Sequence, residues 1–318
     1  MTVAQKVAVI GSGLIGRAWA ISYSRAGHTV ALYDAVAGAG EMALGFIDSV
    51  LMDLHRNGLL GGHEPSAVRG RITVAETLAD ALGGAVHVQE NTPERLDSKI
   101  AVFQELDRLA APETVLASST SGLLPSAFTK TLPGRGRCLV VHPINPPYLV
   151  PAVEVVPAPW TEAAVLERTG QFMRSAGHAP IMMQKEIDGF VMNRLQGALL
   201  QEAFRLVAEG YASTTDVDIG IRDGLGLRWS FMGPFETIDL NAPAGAADYI
   251  ARYEGLYSTL WQTQQHIVPW AGALAARVDA ERRKELPAAQ LPERSRWRDR
   301  RLMALVAHKR DADTKIGS

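Results

Sequence analysis

Cysteine is nearly absent from this chain of 318 residues: Cys138 stands alone, so neither an intrachain disulfide nor a thiolate metal cage can be built. A lone thiol suits a reducing compartment, and a cytoplasmic location is the expectation. Long apolar runs are missing too. No stretch approaches the roughly 18 uninterrupted apolar residues of a membrane span, and the opening from Met1 through Lys6 to Ile10 is too short for a secretion signal and meets Gly11 at once. Charge of one sign is also lacking, since 32 Lys and Arg stand against 34 Asp and Glu, a formal net charge of −2. Such a balance supplies no field that would draw nucleic acid or an anionic membrane. The eight histidines form no H-E-x-x-H pair and no cluster with carboxylates at ligand spacing, so no metal site is expected. Internal repeats and low-complexity tracts are absent as well. A small-molecule partner remains.

What is present is a regular alternation. Lys6 to Ile10, Thr29 to Tyr33, Ala85 to Gln89, Val115 to Ser118, Cys138 to His142, Val153 to Val156 and Ala179 to Met183 are short apolar runs, separated by helical patterns or turn residues. Leu14 to Ala26 reads as the first helix. This is the pattern of an α/β, Rossmann-type, mostly parallel sheet covered on both faces. An insertion near residues 37–70 carries Met42, Phe46, Val50 and Leu54 at helical spacing and is expected to form helices standing off the sheet. Beyond Glu186 to Gly189 only helical patterns follow, beginning with the stripe Val191, Leu195, Leu199, Leu206 and Val207. Residues 1–187 are therefore read as an α/β domain and 188–318 as an all-helical C-terminal domain. The arginine-rich end, with Arg294, Arg296, Arg298, Arg300 and Arg301, is interspersed with acids and reads as a solvated helical face.

Gly11-Ser12-Gly13-Leu14-Ile15-Gly16 fits G-x-G-x-x-G between the first strand and the first helix, the context this motif requires. Gly11 permits the tight turn, Gly13 lets a pyrophosphate approach the backbone, and Gly16 lets helix and strand pack closely. The amides of Leu14 and Ile15 open the helix, where an anion is favoured. Asp34 closes the second strand, where a carboxylate accepts from the adenosine ribose hydroxyls and repels the extra phosphate of NADP. NAD is the expected cofactor.

Two further strands end in polar residues: Ser118-Ser119-Thr120-Ser121, and Val140-Val141 followed by His142-Pro143. Strand C-terminal ends are where open α/β sheets bind ligands. His142 can take a hydroxyl proton near neutral pH. Glu154, inside the apolar run Val153 to Val156, needs a partner, and His142 is the candidate. Each residue alone is equally consistent with a structural histidine or a structural ion pair. Asn145 stands in a rigid Asn-Pro-Pro turn and can contact nicotinamide or ribose. Ser121 can donate to the substrate oxygen or to nicotinamide, although a serine in such a loop is also an ordinary turn former. Asn193, an amide at the start of the long helix, needs a partner and can donate to the same oxygen.

These motifs, together with Val88-Gln89-Glu90, Pro93-Glu94, Gln184-Lys185-Glu186, Gly189-Phe190, Asn193-Arg194-Leu195-Gln196, Gly233-Pro234, Leu240-Asn241 and Trp297-Arg298-Asp299, resemble the 3-hydroxyacyl-CoA dehydrogenase superfamily over nearly the whole chain. Within it they resemble the branch of lambda-crystallins and L-gulonate 3-dehydrogenases. The resemblance implies an NAD-binding domain followed by a helical, homodimer-forming one, with His142 as general base and Glu154 as its partner. Ser121 and Asn193 would hold the substrate oxygen, and Asp34, Glu94 and Lys99 would join the glycines on the cofactor. The implied reaction converts L-gulonate and NAD to 3-dehydro-L-gulonate and NADH. Ser121 to Ser126 and Gly226 to Gly233 also resemble L-carnitine 3-dehydrogenases, while Pro234, Glu236 and Asn193 resemble the gulonate branch. An acyl-CoA substrate is disfavoured physically: from Ala35 to Gly70 only Arg56 and Arg69 face Glu41, Asp48, Asp53 and Glu64, whereas phosphates want a basic cradle. A small carboxylate needs one cation, for which Arg228 and Arg298 are candidates. A structural, crystallin-like NAD-binding protein is the alternative from another class, and the joint presence of Ser121, His142, Glu154 and Asn193 argues against it.

Overall fold

The computed structural model describes residues 4–317; the first residues of the opening stretch, Met1 to Val3, lie outside them. The chain divides into two units, one running through Asn193 and including Asp299–Ala307, the other comprising Arg194–Arg298 and the chain from His308 onward. Among the described residues no helix is long and apolar enough to cross a membrane.

The first unit is built on one eight-stranded sheet. Its strands are β1 (Lys6–Ile10), β2 (Thr29–Tyr33), β3 (Ile72–Val74), β4 (His87–Glu90), β5 (Val115–Ser118), β6 (Cys138–Pro143), β7 (Ala152–Pro157) and β8 (Ala179–Met182), in the spatial order β3-β2-β1-β4-β5-β6-β7-β8. All neighbours are parallel except β6 and β7, which pair antiparallel. The apolar runs of the sequence form these strands because both faces of the sheet are covered. Val7, Val9, Leu139 and Val141 belong to one buried layer, and Ala8, Val88, Leu116 and Val140 to the other. The edge strand β3 escaped the sequence pattern: three residues, only one of them buried, give no periodicity to read.

Helix α1 (Leu14–Arg25) follows β1 and buries Ala18, Trp19, Ile21 and Tyr23 against the sheet. The insertion forms helices α2 (Ala39–Arg56) and α3 (Pro65–Arg69). They pack chiefly on α1 and on each other, as helices standing off the sheet would. The α2 stripe Ala43, Ile47, Val50, Leu51 and Leu54 is buried in the same layer as Val30 and Leu32, while Met42 is 71% exposed. Met303, from the segment Asp299–Ala307, is buried in that layer too.

In the second unit the described residues form helices and no strand, including Thr214–Ile219, Pro234–Leu240, Ala246–Thr263 and Gly272–Glu285. A π-helical segment, Gly220–Leu225, leads into the short helix that carries Arg228.

Candidate active site

The β1-to-α1 turn is shaped by contact between backbones. Gly11 has φ +88, and a Cβ there would lie 2.8 Å from the carbonyl oxygen of Asn91; a Cβ on Gly16 would lie 1.8 Å from the carbonyl oxygen of Gly11. Neither position tolerates a side chain. Gly13 differs: a Cβ there would meet nothing within 4 Å, so the turn presents open space at the point where a pyrophosphate would approach. Helix α1 has no side-chain cap and no acid in its first turn, which leaves the amides of its opening residues, Leu14 and Ile15 among them, free for an anion.

Asp34 is tied into this turn. Its Oδ2 accepts from the Ser12 amide at 2.7 Å and the Ser12 hydroxyl at 2.8 Å, and its Oδ1 accepts from the Val36 amide at 3.0 Å. Burial pushes its carboxyl upward, but these hydrogen bonds outweigh it and hold the group below the usual carboxylate range.

The His142 and Glu154 side chains meet because their strands pair directly across from one another, His142 opposite Glu154 in the β6–β7 ladder. His142 Nδ1 lies 2.6 Å from Glu154 Oε2, with both residues buried. The other carboxylate oxygen, Oε1, accepts from the amides of Val191 at 2.6 Å and Met192 at 2.8 Å, at the start of the helix Met192–Ala208. Three donors thus converge on one buried carboxylate. The acceptor-only partner leaves the proton on Nδ1 and a lone pair on Nε2. Phe190, at φ +50 and fully buried, places its ring 5.7 Å from the imidazole.

A cavity of about 400 Å³ opens over this pair, lined by His142, Asn145, Ser121, Asn193, Glu94 and Lys99, with Ile15, Asn91, Thr92 and Ser119 completing the wall beside them. Ile15, Glu94, Lys99, Ser121, His142, Asn145 and Asn193, among the candidate residues of the first unit, therefore share one space. Asn193 does not stand free: its Nδ2 donates to the carbonyl oxygen of Ser121 at 2.7 Å. Glu94 Oε1 accepts from Thr120 Oγ1 at 2.5 Å and from the amides of Ser121 and Gly122 at 3.0 and 3.1 Å, so it shapes the loop that presents Ser121. Asn145 Oδ1 is buried without a hydrogen-bond partner. Arg228 belongs to the second unit, where its Nη1 lies 3.5 Å from Asn241 Oδ1.

Lys99 departs from the exposed helix face that its sequence surroundings suggest. It is 1% exposed, and its ammonium donates to both oxygens of Glu90 at 2.8 and 2.9 Å and to the Thr92 carbonyl at 3.0 Å. Glu90, which no reading of the residues singled out, also accepts from Ser118 Oγ at 2.6 Å and from the Thr92 amide and hydroxyl at 2.5 Å. A signal was there. A carboxylate directly after the apolar run Ala85 to Gln89 demands a buried partner, and Lys99 stands nine residues on.

The model of the NAD-binding domain of 3-hydroxyacyl-CoA dehydrogenase matches residues 6–187, and that of its C-terminal domain matches residues 189–271. The chain belongs to the 3-hydroxyacyl-CoA dehydrogenase family. Lambda-crystallin of Oryctolagus cuniculus is 41% identical over 307 residues, 96% of each chain. L-carnitine dehydrogenase of Pseudomonas aeruginosa is 35% identical over 98% of this chain and 95% of its own. Among solved structures, a 5-formyl-3-hydroxy-2-methylpyridine 4-carboxylic acid 5-dehydrogenase, an NAD+-dependent dismutase, superposes with a TM-score of 0.80 at 25% identity, over 98% of this chain and 99% of its own.

This dehydrogenase uses NAD and acts on hydroxy acids. Its residues fit the cofactor on physical grounds as well. The open face at Gly13, the uncapped start of α1, the carboxylate of Asp34 and the unpartnered acceptor Asn145 Oδ1 form one series of anion, hydroxyl and amide recognition groups.

Proposed function

We propose that this dehydrogenase oxidises the 3-hydroxyl of a small hydroxy acid, with L-gulonate as substrate and 3-dehydro-L-gulonate as product. The observation that carries the reading is the 2.6 Å contact of His142 Nδ1 with Glu154, which leaves Nε2 of the same ring as an acceptor beside the cavity. NAD, when bound, takes up the hydrogen and electron pair leaving C3. His142 Nε2 accepts the hydroxyl proton, and Glu154 stabilises the imidazolium that results. Ser121 Oγ and the second N–H of Asn193 orient the substrate oxygen. Gly11, Gly13, Leu14, Ile15, Gly16, Asp34, Glu94 and Asn145 hold the cofactor, Lys99 supports that site through its bonds to Glu90 and the Thr92 carbonyl, and Arg228 is the candidate cation for the substrate carboxylate.

The small size of the substrate is supported by the insertion. Arg56 pairs with Asp53 within α2 at 3.0 Å, and Arg69 of α3 pairs with Asp48 of α2 at 3.1 Å, so each arginine already faces a carboxylate of the insertion itself. With four acids against two arginines, the insertion offers no basic cradle to the phosphates of a CoA ester. Residues 1–187 act as the NAD domain, and the helical residues 188–318 supply the contacts of a homodimer. Phe231, Phe235, Leu240 and Ile267 of the second unit are each at least 70% exposed, a large apolar surface for one copy to leave in water. Sedimentation at micromolar concentration is expected to give a dimer.

NAD reduction measured with L-gulonate, L-carnitine, 3-hydroxybutyrate and 3-hydroxybutyryl-CoA tests the substrate directly. The highest kcat/KM is expected with L-gulonate. A preference for L-carnitine would move the assignment to that branch, and comparable turnover of the CoA ester would overturn the argument from the insertion.

A further inference from the structure

Gln89 is a polar side chain in an apolar layer. Its register neighbours across the sheet are Val9 on β1 and Ala117 on β5, with Leu139 on β6 next in the row, and all four residues are fully buried. An amide there is costly unless every donor and acceptor finds a partner. Every one does. Gln89 Oε1 accepts from Tyr23 OH and from His87 Nε2, each at 3.0 Å, while Nε2 donates to Ser119 Oγ at 2.7 Å and to the Val141 carbonyl at 3.2 Å.

The two donated bonds reach the two halves of the site. The β5–β6 ladder ends with Ser118 opposite Val140, so the Val141 carbonyl, immediately before His142, lies beyond the last paired residue. Gln89 supplies a donor to it from two strands away, past the small Ala117. In the other direction, Ser119 Oγ also accepts from Trp19 Nε1 at 3.0 Å and donates to Asn91 Oδ1 at 2.7 Å. Asn91 is the residue whose carbonyl abuts Gly11, and its own amide group donates to the carbonyls of Gln89 at 2.8 Å and Ile10 at 3.3 Å.

We propose that Gln89 and Ser119 are positioning residues: a buried amide-to-hydroxyl link that fixes the strand bearing His142 relative to the glycine turn that receives the cofactor. This rests on the reading of His142 as the base. Ser119 lines the cavity, but its hydroxyl already makes three hydrogen bonds, so it acts through its neighbours and not on the substrate. A fully satisfied polar network in a core enforces one arrangement where apolar packing alone would allow several. Hydride transfer needs that restriction, because displacements of about 1 Å cost on the order of 100-fold in rate.

The test uses the full chain, NAD, and whichever of L-gulonate, L-carnitine and 3-hydroxybutyrate the wild type oxidises fastest, so it does not depend on the substrate's name. Gln89→Met keeps the side-chain length and removes the four bonds; Ser119→Ala is a smaller change that cuts the same link. Each is expected to lower kcat about 10- to 100-fold. NADH affinity, read by fluorescence, is expected to stay within about threefold, and a substrate deuterated at C3 to show a larger isotope effect on kcat than in wild type. The double variant is expected to fall no more than about threefold below the slower single one, since the link is already broken. A folded variant whose kcat stays within about twofold of wild type, or losses that multiply in the double, overturns the proposal. Should Gln89→Met not fold, Ser119→Ala decides alone. Full activity in His142→Gln would instead remove the base assignment, a failure separate from this one.

Discussion

His142 and Glu154 face each other across the single antiparallel strand pair of the sheet, Nδ1 to Oε2 at 2.6 Å, and the same carboxylate caps the first amides of the helix that begins at Met192. The reversal of β7 is what permits this. A parallel partner for β6 would arrive through a crossover of a dozen or more residues, whereas the antiparallel return brings a carboxylate twelve residues away in sequence to direct contact.

Glu154→Gln keeps the shape of that carboxylate and reverses one of its ends. Val191 and Met192 both donate to Oε1, so the new amide nitrogen must face His142 Nδ1, which then becomes the acceptor and moves the ring proton to Nε2. The base is lost by tautomer. Turnover is expected to fall about 10²- to 10⁴-fold with NADH binding retained. Steady-state rates of the variant check this, and a rate near that of wild type would show that Glu154 does not set the tautomer.

The last two glycines of the motif should separate folding from binding. Gly16→Ala drives a Cβ into the Gly11 carbonyl and is expected to cost about 1–3 kcal/mol of stability. Gly13→Ala meets nothing in the protein, so its thermal midpoint should stay close to wild type while NADH affinity drops by about tenfold or more. Calorimetry and NADH titration of both variants distinguish the cases. Unchanged affinity in Gly13→Ala would place the pyrophosphate elsewhere.

Acid stability follows from two buried imidazoles. Burial pushes His87 and His178 each down to about 4, with His28 beside the first and Arg25 beside the second acting in the same direction. Both are neutral in the folded protein between pH 4 and their ordinary value near 6.5, and both bind a proton on unfolding there. Stability is therefore complete above about pH 6.5 and declines as pH falls toward 4, by up to about 3 kcal/mol for each ring. Urea unfolding at pH 7 and pH 5 measures the decline. His178→Asn should flatten part of it, and an unaltered slope in that variant would mean that His178 is not one of the groups responsible.

Much of this was legible in the sequence. Apolar runs bounded by turn residues marked seven of the eight strands, because strands buried on both sides leave little else to read. The glycine turn and Asp34 were legible because their chemistry is local. Contacts that depend on tertiary register were not. Glu90 lay just past the run Ala85 to Gln89, Lys99 looked like a solvated helix position, and only the fold brings them within 2.8 Å. Gln89 and Ser119 fell inside motifs of the resemblance, but nothing along the chain told that they bond to each other, since hydrogen bonds that cross a sheet leave no periodicity. The insertion was legible in part: apolar spacing marked α2, and Phe46, Val50 and Leu54 of that stripe do face the core, but the packing of α2 on α1 could not be read from it.

The central claim, that His142 is the base of an NAD-dependent oxidation, is tested most directly by His142→Gln. Its NAD reduction is compared with that of wild type on the best substrate, and NADH binding is measured on the same sample. The account predicts turnover lowered by at least about 100-fold with NADH affinity unchanged. Turnover equal to that of wild type in a variant that still binds NADH would contradict it.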